Sequence, residues 1–340
     1  MNTLPNDITQ ARDLVSDWSD TAVVIPCLNE AASIGEVVVD FKTHLPGCRV
    51  IVFDNASTDQ TAEVAAAHGA EVREEPTRGK GHVVRRMFRD IDADIFLLTD
   101  GDTTYDPSAA PRMIEKLRSD SLDVVIGLRV GGGRDEYRLG HQFGNRLLTG
   151  TIAFLFDAKL SDMLSGYRVM SRRFVKTLPI EAKGFEIETE ITVHMLQLDA
   201  PFAEIETCYG SRPDNSTSKL RTYSDGFRIL RAIIGLTALE RPMSVLGWAG
   251  ALAIFCGLGL FVPVFMEFQR TGLVERFPTL ILALVLGLTG LASVFTGMIL
   301  AGITRTRRDI KRLAYLQFDP ITTKRGTVRG KLVEAGRENN

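Results

Sequence analysis

An α/β domain on a mostly parallel sheet, followed by two helices of membrane length, is the architecture this sequence predicts. Three observations predict it. Short β-branched runs alternate with helical periods from Thr21 to Leu128, an order that builds a parallel sheet covered on both faces. Two uncharged runs, Met243 to Met266 and Pro278 to Thr304, each exceed the roughly 20 residues that cross a hydrocarbon core. Basic residues flank that pair on its outer sides.

The elements follow in order. Thr21–Pro26 is a buried strand ended by proline. Ser33 to Leu45 carries Ile34, Val37, Val38 and Phe41 at helical spacing, with Ser33 placed to cap the helix and Glu36 to complete a capping box. Val50–Phe53 is a second strand, leading through Asp54-Asn55-Ala56-Ser57-Thr58-Asp59 into a helix from Gln60 to His68 that Ser57 to Asp59 are expected to cap. Ala70–Arg73 is a short third strand, Gly81–Asp90 a helix, and Ile95–Thr99 a fourth strand ending at Asp100-Gly101-Asp102. A helix from Ser108 to Ser119 returns the chain to a strand over Leu122–Leu128. In such a sheet ligands bind beyond the carboxyl ends of the strands, and the polar clusters fall there.

Composition narrows the function classes. The 340 residues hold 40 Lys and Arg against 42 Asp and Glu, a net charge of -2, so no global basic field exists for a nucleic-acid backbone. Hydrophobic residues at 45% and charged residues at 24% match a globular domain, yet the apolar excess lies in the last third. Cys27, Cys48, Cys208 and Cys256 show no C-x-x-C spacing, which excludes a zinc or disulfide framework and favours a reducing compartment. Residues 1–20 are polar, with no apolar stretch of the signal-peptide kind.

The membrane anchor reads as a hairpin. Its connector, Glu267 to Phe277, is short and charge-balanced, whereas Arg228, Arg231 and Arg241 precede the first span and Arg305, Arg307, Arg308, Lys311 and Arg312 follow the second. The positive-inside rule then puts both termini and the α/β domain in the cytoplasm, at the inner (plasma) membrane. Tyr223 to Glu240 mixes Phe227, Ile229, Leu230, Ile233 and Leu236 with Arg228 and Arg231. It reads equally as helices lying in the interface or as an ordinary amphipathic packing helix. The expected division is a polar segment 1–20, an α/β domain 21–220, an interfacial segment 221–241, a hairpin 242–305 and a basic tail 306–340.

The chemistry begins at Asp100 and Asp102. Two carboxylates one residue apart, directly after a strand, suit a hard divalent cation such as Mg²⁺ or Mn²⁺ whose shell substrate phosphates complete. Asp54 sits just past the second strand, and Arg78-Gly79-Lys80-Gly81 is a basic turn at a helix start, suited to an anion or else a solvated loop. Glu186, Glu188 and Glu190 alternate along one face and read as contacts to sugar hydroxyls or as a solvated face. His82, His141 and His194 stand alone and read as structural.

Together these pieces resemble the family 2 glycosyltransferases of the GT-A fold, a Rossmann-like, mostly parallel sheet. The matching residues are Val24-Ile25-Pro26-Cys27-Leu28-Asn29-Glu30, Asp54 to Asp59, Gly79-Lys80-Gly81 and Asp100-Gly101-Asp102. Gly127-Leu128-Arg129, Arg138, Asn145, Asp162, Ser165-Gly166-Tyr167-Arg168, Arg212 and Ser218-Lys219-Leu220 match the narrower polyprenyl-phosphate (dolichol-phosphate-like) branch, in the subgroup with a C-terminal two-span hairpin. The resemblance implies that Pro26, Asn29, Glu30, Asp54 and Lys80 line the nucleotide-sugar pocket and that Asp100 and Asp102 hold the metal on the donor diphosphate. It implies that Arg129, Arg138, Ser165 and Arg168 face the acceptor phosphate, and that Arg212, Ser218 and Lys219 close on the donor phosphates. Asn55 stands where a second aspartate is common, and Thr104 where a longer polar side chain often assists the metal.

The implied reaction passes a sugar, expected to be a hexose on UDP, to an undecaprenyl or dolichyl monophosphate held in the bilayer. A lipid phosphate, with a second pKa of about 6, is already ionised at neutral pH and needs no general base. One displacement inverts the anomeric carbon. A homo-oligomer is expected, with a tetramer among the candidate states. Two other readings stand beside this one. A processive family 2 synthase would resemble its relatives in a Gln-x-x-Arg-Trp stretch, and Trp18 and Trp248 lie outside such a context. A non-catalytic membrane scaffold would have no use for Asp100, Asp102 and Lys219.

Overall fold

The computed structural model describes residues 18–131, 139–184, 186–210, 235, 237 and 239–321, with most side chains of 139–148 left out. Beyond that description lie Arg138, Arg212, Ser218, Lys219, nearly all of the expected interfacial segment and the two chain ends. The chain divides into two compact units. One comprises Met1–Thr149, Lys159–Lys219 and Ala314–Asn340, the other Gly150–Ala158 and Leu220–Leu313.

The first unit is the α/β domain. Its strands are β1 (Thr21–Cys27), β2 (Arg49–Asp54), β3 (Glu71–Glu74), β4 (Ile95–Leu98), β5 (Val124–Val130), β6 (Arg168–Ser171) and β7 (Phe202–Cys208), paired in the order β3-β2-β1-β4-β6-β5-β7. Helices α1 (Ile34–His44), α2 (Thr61–Ala67), α3 (Lys80–Asp90) and α4 (Ala110–Ser119) connect the first five strands. Helix α5 (Leu139–Phe156) follows β5, the short α6 (Arg172–Lys176) follows β6, and α7 (Ile187–Gln197) precedes β7. The sheet is parallel except for β6, which runs antiparallel to both β4 and β5.

Alternation along the strands serves two apolar faces. Val23, Ile25 and Cys27 of β1 join Val50, Val52, Ile95 and Leu97 in a core packed by Val37, Val38, Phe41, Met113, Ile114 and Leu117 from the helices. The opposite face is covered by α3, whose Phe88 meets Phe96 of β4 edge to face at 5.9 Å. From β1 the chain proceeds outward to β2 and β3, then crosses back to β4 on the other side. The resulting switch point lies between β1 and β4, where a crevice opens beyond the strand ends.

The expected helix caps take other work. Ser33 is at the cap position of α1, but its hydroxyl donates to Gly101 O at 2.7 Å, so the capping box with Glu36 does not form. Only Asp59 turns toward α2, its Oδ1 accepting from Thr61 N at 3.1 Å, while Ser57 and Thr58 bond the loop after β1.

The first unit also takes in the chain after the second apolar helix. The Tyr315 hydroxyl donates to Asp123, a fully buried carboxylate that also accepts from Ser171 Oγ at 2.5 Å and from Arg173 at 2.6 and 2.5 Å. The Arg173 guanidinium lies 4.6 Å above the Tyr315 ring. A buried carboxylate is tolerated because donors surround it.

The second unit contains helices α8 (Pro242–Thr271) and α9 (Phe277–Tyr315) up to Leu313. Both are long and apolar enough to cross a membrane. Gly272, at φ +71°, ends α8 in the left-handed conformation that glycine adopts without strain. Helix α9 runs on through Arg305, Arg307, Arg308, Lys311 and Arg312, so the boundary expected after residue 305 divides a continuous helix. Arg308 pairs with Glu240 at 2.5 Å, and Arg241 donates to Leu155 O.

The two helices meet through glycine. A Cβ on Gly290 would lie 2.7 Å from Gly250 O, and one on Gly250 would lie 2.6 Å from Gly290 O. Small residues at such a seam let backbones approach where no hydrophobic effect drives association. Gly290→Ala is expected to cost about 1–3 kcal/mol through overpacking. Gly287→Ala, where a Cβ meets nothing within 4 Å, is expected to be harmless. Thermal unfolding of both variants in detergent checks the contrast.

Candidate active site

Three loops line the crevice, each entered from the carboxyl end of a parallel strand. After β1, Asn29 adopts φ +56°; after β2, Ala56 adopts +57°; after β4, Thr103 adopts +59°. Asparagine tolerates this region, but alanine and especially β-branched threonine are strained there. Each tight turn breaks off the direction of its strand at the edge of the crevice.

The first two loops are zipped together. Asn29 Oδ1 accepts from Thr58 N at 2.8 Å, Asn29 N donates to Ser57 Oγ at 2.9 Å, and Glu30 N donates to Thr61 Oγ1 at 2.9 Å. Pro26 is buried in β1. Asp54 is buried at the end of β2, with Oδ2 accepting from Ser57 N at 3.1 Å and Oδ1 lacking a hydrogen-bond partner among the described residues. Asn55 clamps the next loop: its amide donates to Glu75 O and Thr77 O at 2.9 and 2.8 Å, and its Oδ1 accepts from Gly79 N at 2.7 Å. An aspartate could not donate those two bonds, which is a structural reason for the asparagine here.

Asp100 and Asp102 follow β4. Asp102 is buried, with Oδ1 accepting from Thr104 Oγ1 at 2.5 Å and from Thr104 N at 3.3 Å. The threonine thus orients a carboxylate. Between the two aspartates only glycine fits, because a Cβ on Gly101 would lie 2.2 Å from Glu30 Oε2 and 2.7 Å from Cys27 Sγ. Glu30 therefore stands directly behind the pair. Burial, then the charges of Asp100 and Asp102, push its pKa up to about 8, and its Oε2 is buried without a hydrogen-bond partner.

Crowding of carboxylates with an orphaned oxygen is what a hard cation relieves. Among the described residues no group of three or more acidic, His or Cys side chains stands in ligating geometry, so the protein offers this aspartate pair and leaves room for other oxygens. That donor set fits Mg²⁺ or Mn²⁺, which dehydrate reluctantly and take substrate phosphates as ligands.

Lys80 is not a solvated lysine at a loop tip. It is largely buried, with Nζ 2.6 Å from Asp100 Oδ1 and 2.7 Å from Glu188 Oε1. Burial opposes its charge, but Asp100 and Glu188 outweigh burial and hold its pKa well above the usual value. The flanking glycines serve packing, since a Cβ on Gly81 would lie 2.2 Å from Ala182 O and one on Gly79 would lie 2.1 Å from Lys183 O. The acidic run at the start of α7 is divided: Glu186 is exposed, whereas Glu188 and Glu190 are held by the protein. Glu188 is buried on Lys80, and Glu190 accepts from Glu181 N and Ala182 N, both at 2.8 Å.

Near the end of β5, Arg129 forms a two-pronged pair with Asp162, at 2.7 and 2.9 Å, and its guanidinium lies 5.7 Å from the Tyr209 ring centre. The fork–fork geometry fixes the guanidinium plane. Ser165 and Arg168 correct an expectation. Both are fully buried; Ser165 Oγ donates to Gly127 O at 2.6 Å, and Arg168 donates to Ser165 O, Met163 O and Thr192 Oγ1 at 2.9, 2.6 and 2.9 Å. Burial lowers the Arg168 pKa to about 10. Neither side chain reaches the surface; they hold the turn before β6 against β5. The backbone of that turn does reach the site, for a Cβ on Gly166 would lie 3.0 Å from Asp100 Oδ2.

An aspartate pair at the switch point of such a sheet, backed by a buried glutamate, defines a GT-A glycosyltransferase. The model of glycosyl transferase family 2 matches residues 22–178, and the chain belongs to that family. The glycosyltransferase AglJ of Haloferax volcanii is 33% identical over 72% of this chain and 81% of its own length. A dolichyl-phosphate hexose transferase of the same organism is 28% identical over 66% of this chain and 96% of its own length. Among solved structures, glucosyl-3-phosphoglycerate synthase from Mycobacterium tuberculosis, in complex with Mn²⁺, uridine-diphosphate-glucose and phosphoglyceric acid, aligns with a TM-score of 0.51 at 26% identity. That alignment covers 65% of this chain and 79% of that one.

Proposed function

We propose that this protein is a membrane-bound, metal-dependent, inverting glycosyltransferase that moves a hexose from a UDP-sugar to a polyprenyl monophosphate. The observation that carries the reading is a metal-competent aspartate pair, Asp100 and Asp102, in a chain that also holds two helices of membrane length. Kinship with a dolichyl-phosphate hexose transferase supports the lipid acceptor, and the Mn²⁺ and uridine-diphosphate-glucose in the structural neighbour support the donor and the metal.

Asp54 Oδ1, buried and without a hydrogen-bond partner, would accept from the nucleobase. Asn29 and Glu30 shape the wall beside it. Asp100 and Asp102 would hold a divalent cation on the donor diphosphate, where the ion neutralises charge building on the leaving group. Arg129, held in plane by Asp162, would orient the lipid phosphate, joined by Arg138. Arg212, Ser218 and Lys219 would close on the donor phosphates. The nucleophile is an ionised phosphate oxygen, so the protein need only align two substrates and stabilise charge. As the new C–O bond forms on one face of the anomeric carbon, the bond to the diphosphate breaks on the other, and the configuration inverts.

The hairpin would keep the site at the headgroup plane of the inner membrane, with catalytic unit and termini cytoplasmic, and its exposed apolar faces would bring subunits together. The test is transfer from radiolabelled UDP- and GDP-sugars to undecaprenyl phosphate, with Mn²⁺ or Mg²⁺ and with EDTA. One chloroform-soluble, mild-acid-labile product, lost with EDTA, is expected. Donor binding without any lipid-linked product would overturn the acceptor, and product formation undiminished by EDTA would overturn the metal.

A further inference from the structure

Lys80 is shared between two carboxylates with different surroundings. Asp100 faces the crevice as half of the aspartate pair, whereas Glu188 lies behind it in the first turn of α7 and is buried. The sharing is built into the backbone. The start of α3 and the segment before α7 touch at Gly79, Gly81, Ala182 and Lys183 with no space for a Cβ. Glu190 then pins the same segment through Glu181 N and Ala182 N.

A divalent ion on Asp100 meets the Lys80 ammonium as a neighbour of like charge. Without a second partner, Lys80 would either compete with the ion for Asp100 or repel it. A carboxylate on the far side of Nζ cancels that repulsion and gives Lys80 a place to remain when Asp100 turns to the ion. We propose that Glu188 is a positioning residue for the cation site, holding Lys80 as its own partner and so setting the affinity of Asp100 and Asp102 for a divalent ion. The proposal rests on the reading of that aspartate pair as the metal site.

The charge arithmetic gives a test that a packing role does not mimic. Glu188→Gln keeps the shape of the side chain but removes one negative charge, which takes away one of the two carboxylates that hold Lys80. Lys80→Met combined with Glu188→Gln removes one charge of each sign, so the net charge of the cluster returns to its original value. Full-length protein in detergent is titrated with Mn²⁺ in the presence of UDP, and separately of GDP, with bound metal read by electron paramagnetic resonance. Glu188→Gln is expected to weaken Mn²⁺ binding about 10-fold, the lower end of what loss of outer-shell support costs. The double variant is expected to regain wild-type affinity, and Glu188→Asp to fall between.

Wild-type affinity in Glu188→Gln would overturn the proposal. So would a double variant as weak as the single one, because damage to packing does not reverse when a second buried residue is changed. Failure of the wild-type protein to retain Mn²⁺ with either nucleotide would overturn the metal assignment itself, an outcome distinct from either of these.

Discussion

Asp102→Ala is expected to lower sugar transfer by roughly a thousandfold or more, the scale on which preorganised charge stabilisation is lost. The side chain is buried and held by Thr104, and it is half of what the described residues offer a cation. Its removal would leave the cation of the proposed site with Asp100 alone, itself partnered by Lys80. The fold should survive, since Asp102 lies beyond the end of β4, outside the sheet. Lipid-linked product is the readout, with membrane association and thermal unfolding as controls. Turnover near that of wild type would sink the metal assignment.

Arg129→Ala is expected to raise the acceptor KM and lower kcat/KM for the acceptor by about 30-fold or more, because losing one partner of a desolvated charge pair costs about 2–5 kcal/mol. Donor binding should change little. The guanidinium is locked to Asp162 at the end of β5, on the opposite side of β4 and β6 from the loops carrying Asn29 and Asp54. Arg129→Lys should recover little, since an ammonium cannot make the two-pronged contact with Asp162. Acceptor kinetics at saturating donor, beside donor binding by calorimetry, separate the two effects. Equal losses for donor and acceptor would remove Arg129 from the acceptor side.

The parts legible in the sequence were those with a local signal. Strands β1, β2 and β4 are uninterrupted apolar runs, and α1, α3 and α4 repeat apolar residues at helical spacing, so periodicity alone located them. Strands β6 and β7 carry no such signal. Arg168 sits inside β6, fully buried, and its burial depends on carbonyls of Met163 and Ser165 that only the folded turn presents. Strand β7 is an edge strand whose Glu204 and Glu206 break the apolar run. Of the candidate site, the places of Asp54, Asp100 and Asp102 were legible because each lies at or just past the end of a strand. The partner of Lys80 was not, since Glu188 comes from a helix far along the chain and its neighbours look like a solvated acidic face. The capping reading of Ser33 failed for a related reason: the Gly101 carbonyl is a long-range competitor that no window of sequence contains.

The place of Tyr315 bears on how the enzyme is made. The catalytic unit draws on chain from both sides of the hairpin, and the carboxylate of Asp123 receives one of its donors only when residue 315 arrives. Synthesis proceeds from the N-terminus at about 5–20 residues per second, so both uncharged runs are made before that donor exists. Completion of the catalytic unit thus waits on synthesis of both apolar helices. A chain that ends before residue 315 lacks that donor, so no complete catalytic unit exists without both apolar helices having been made first.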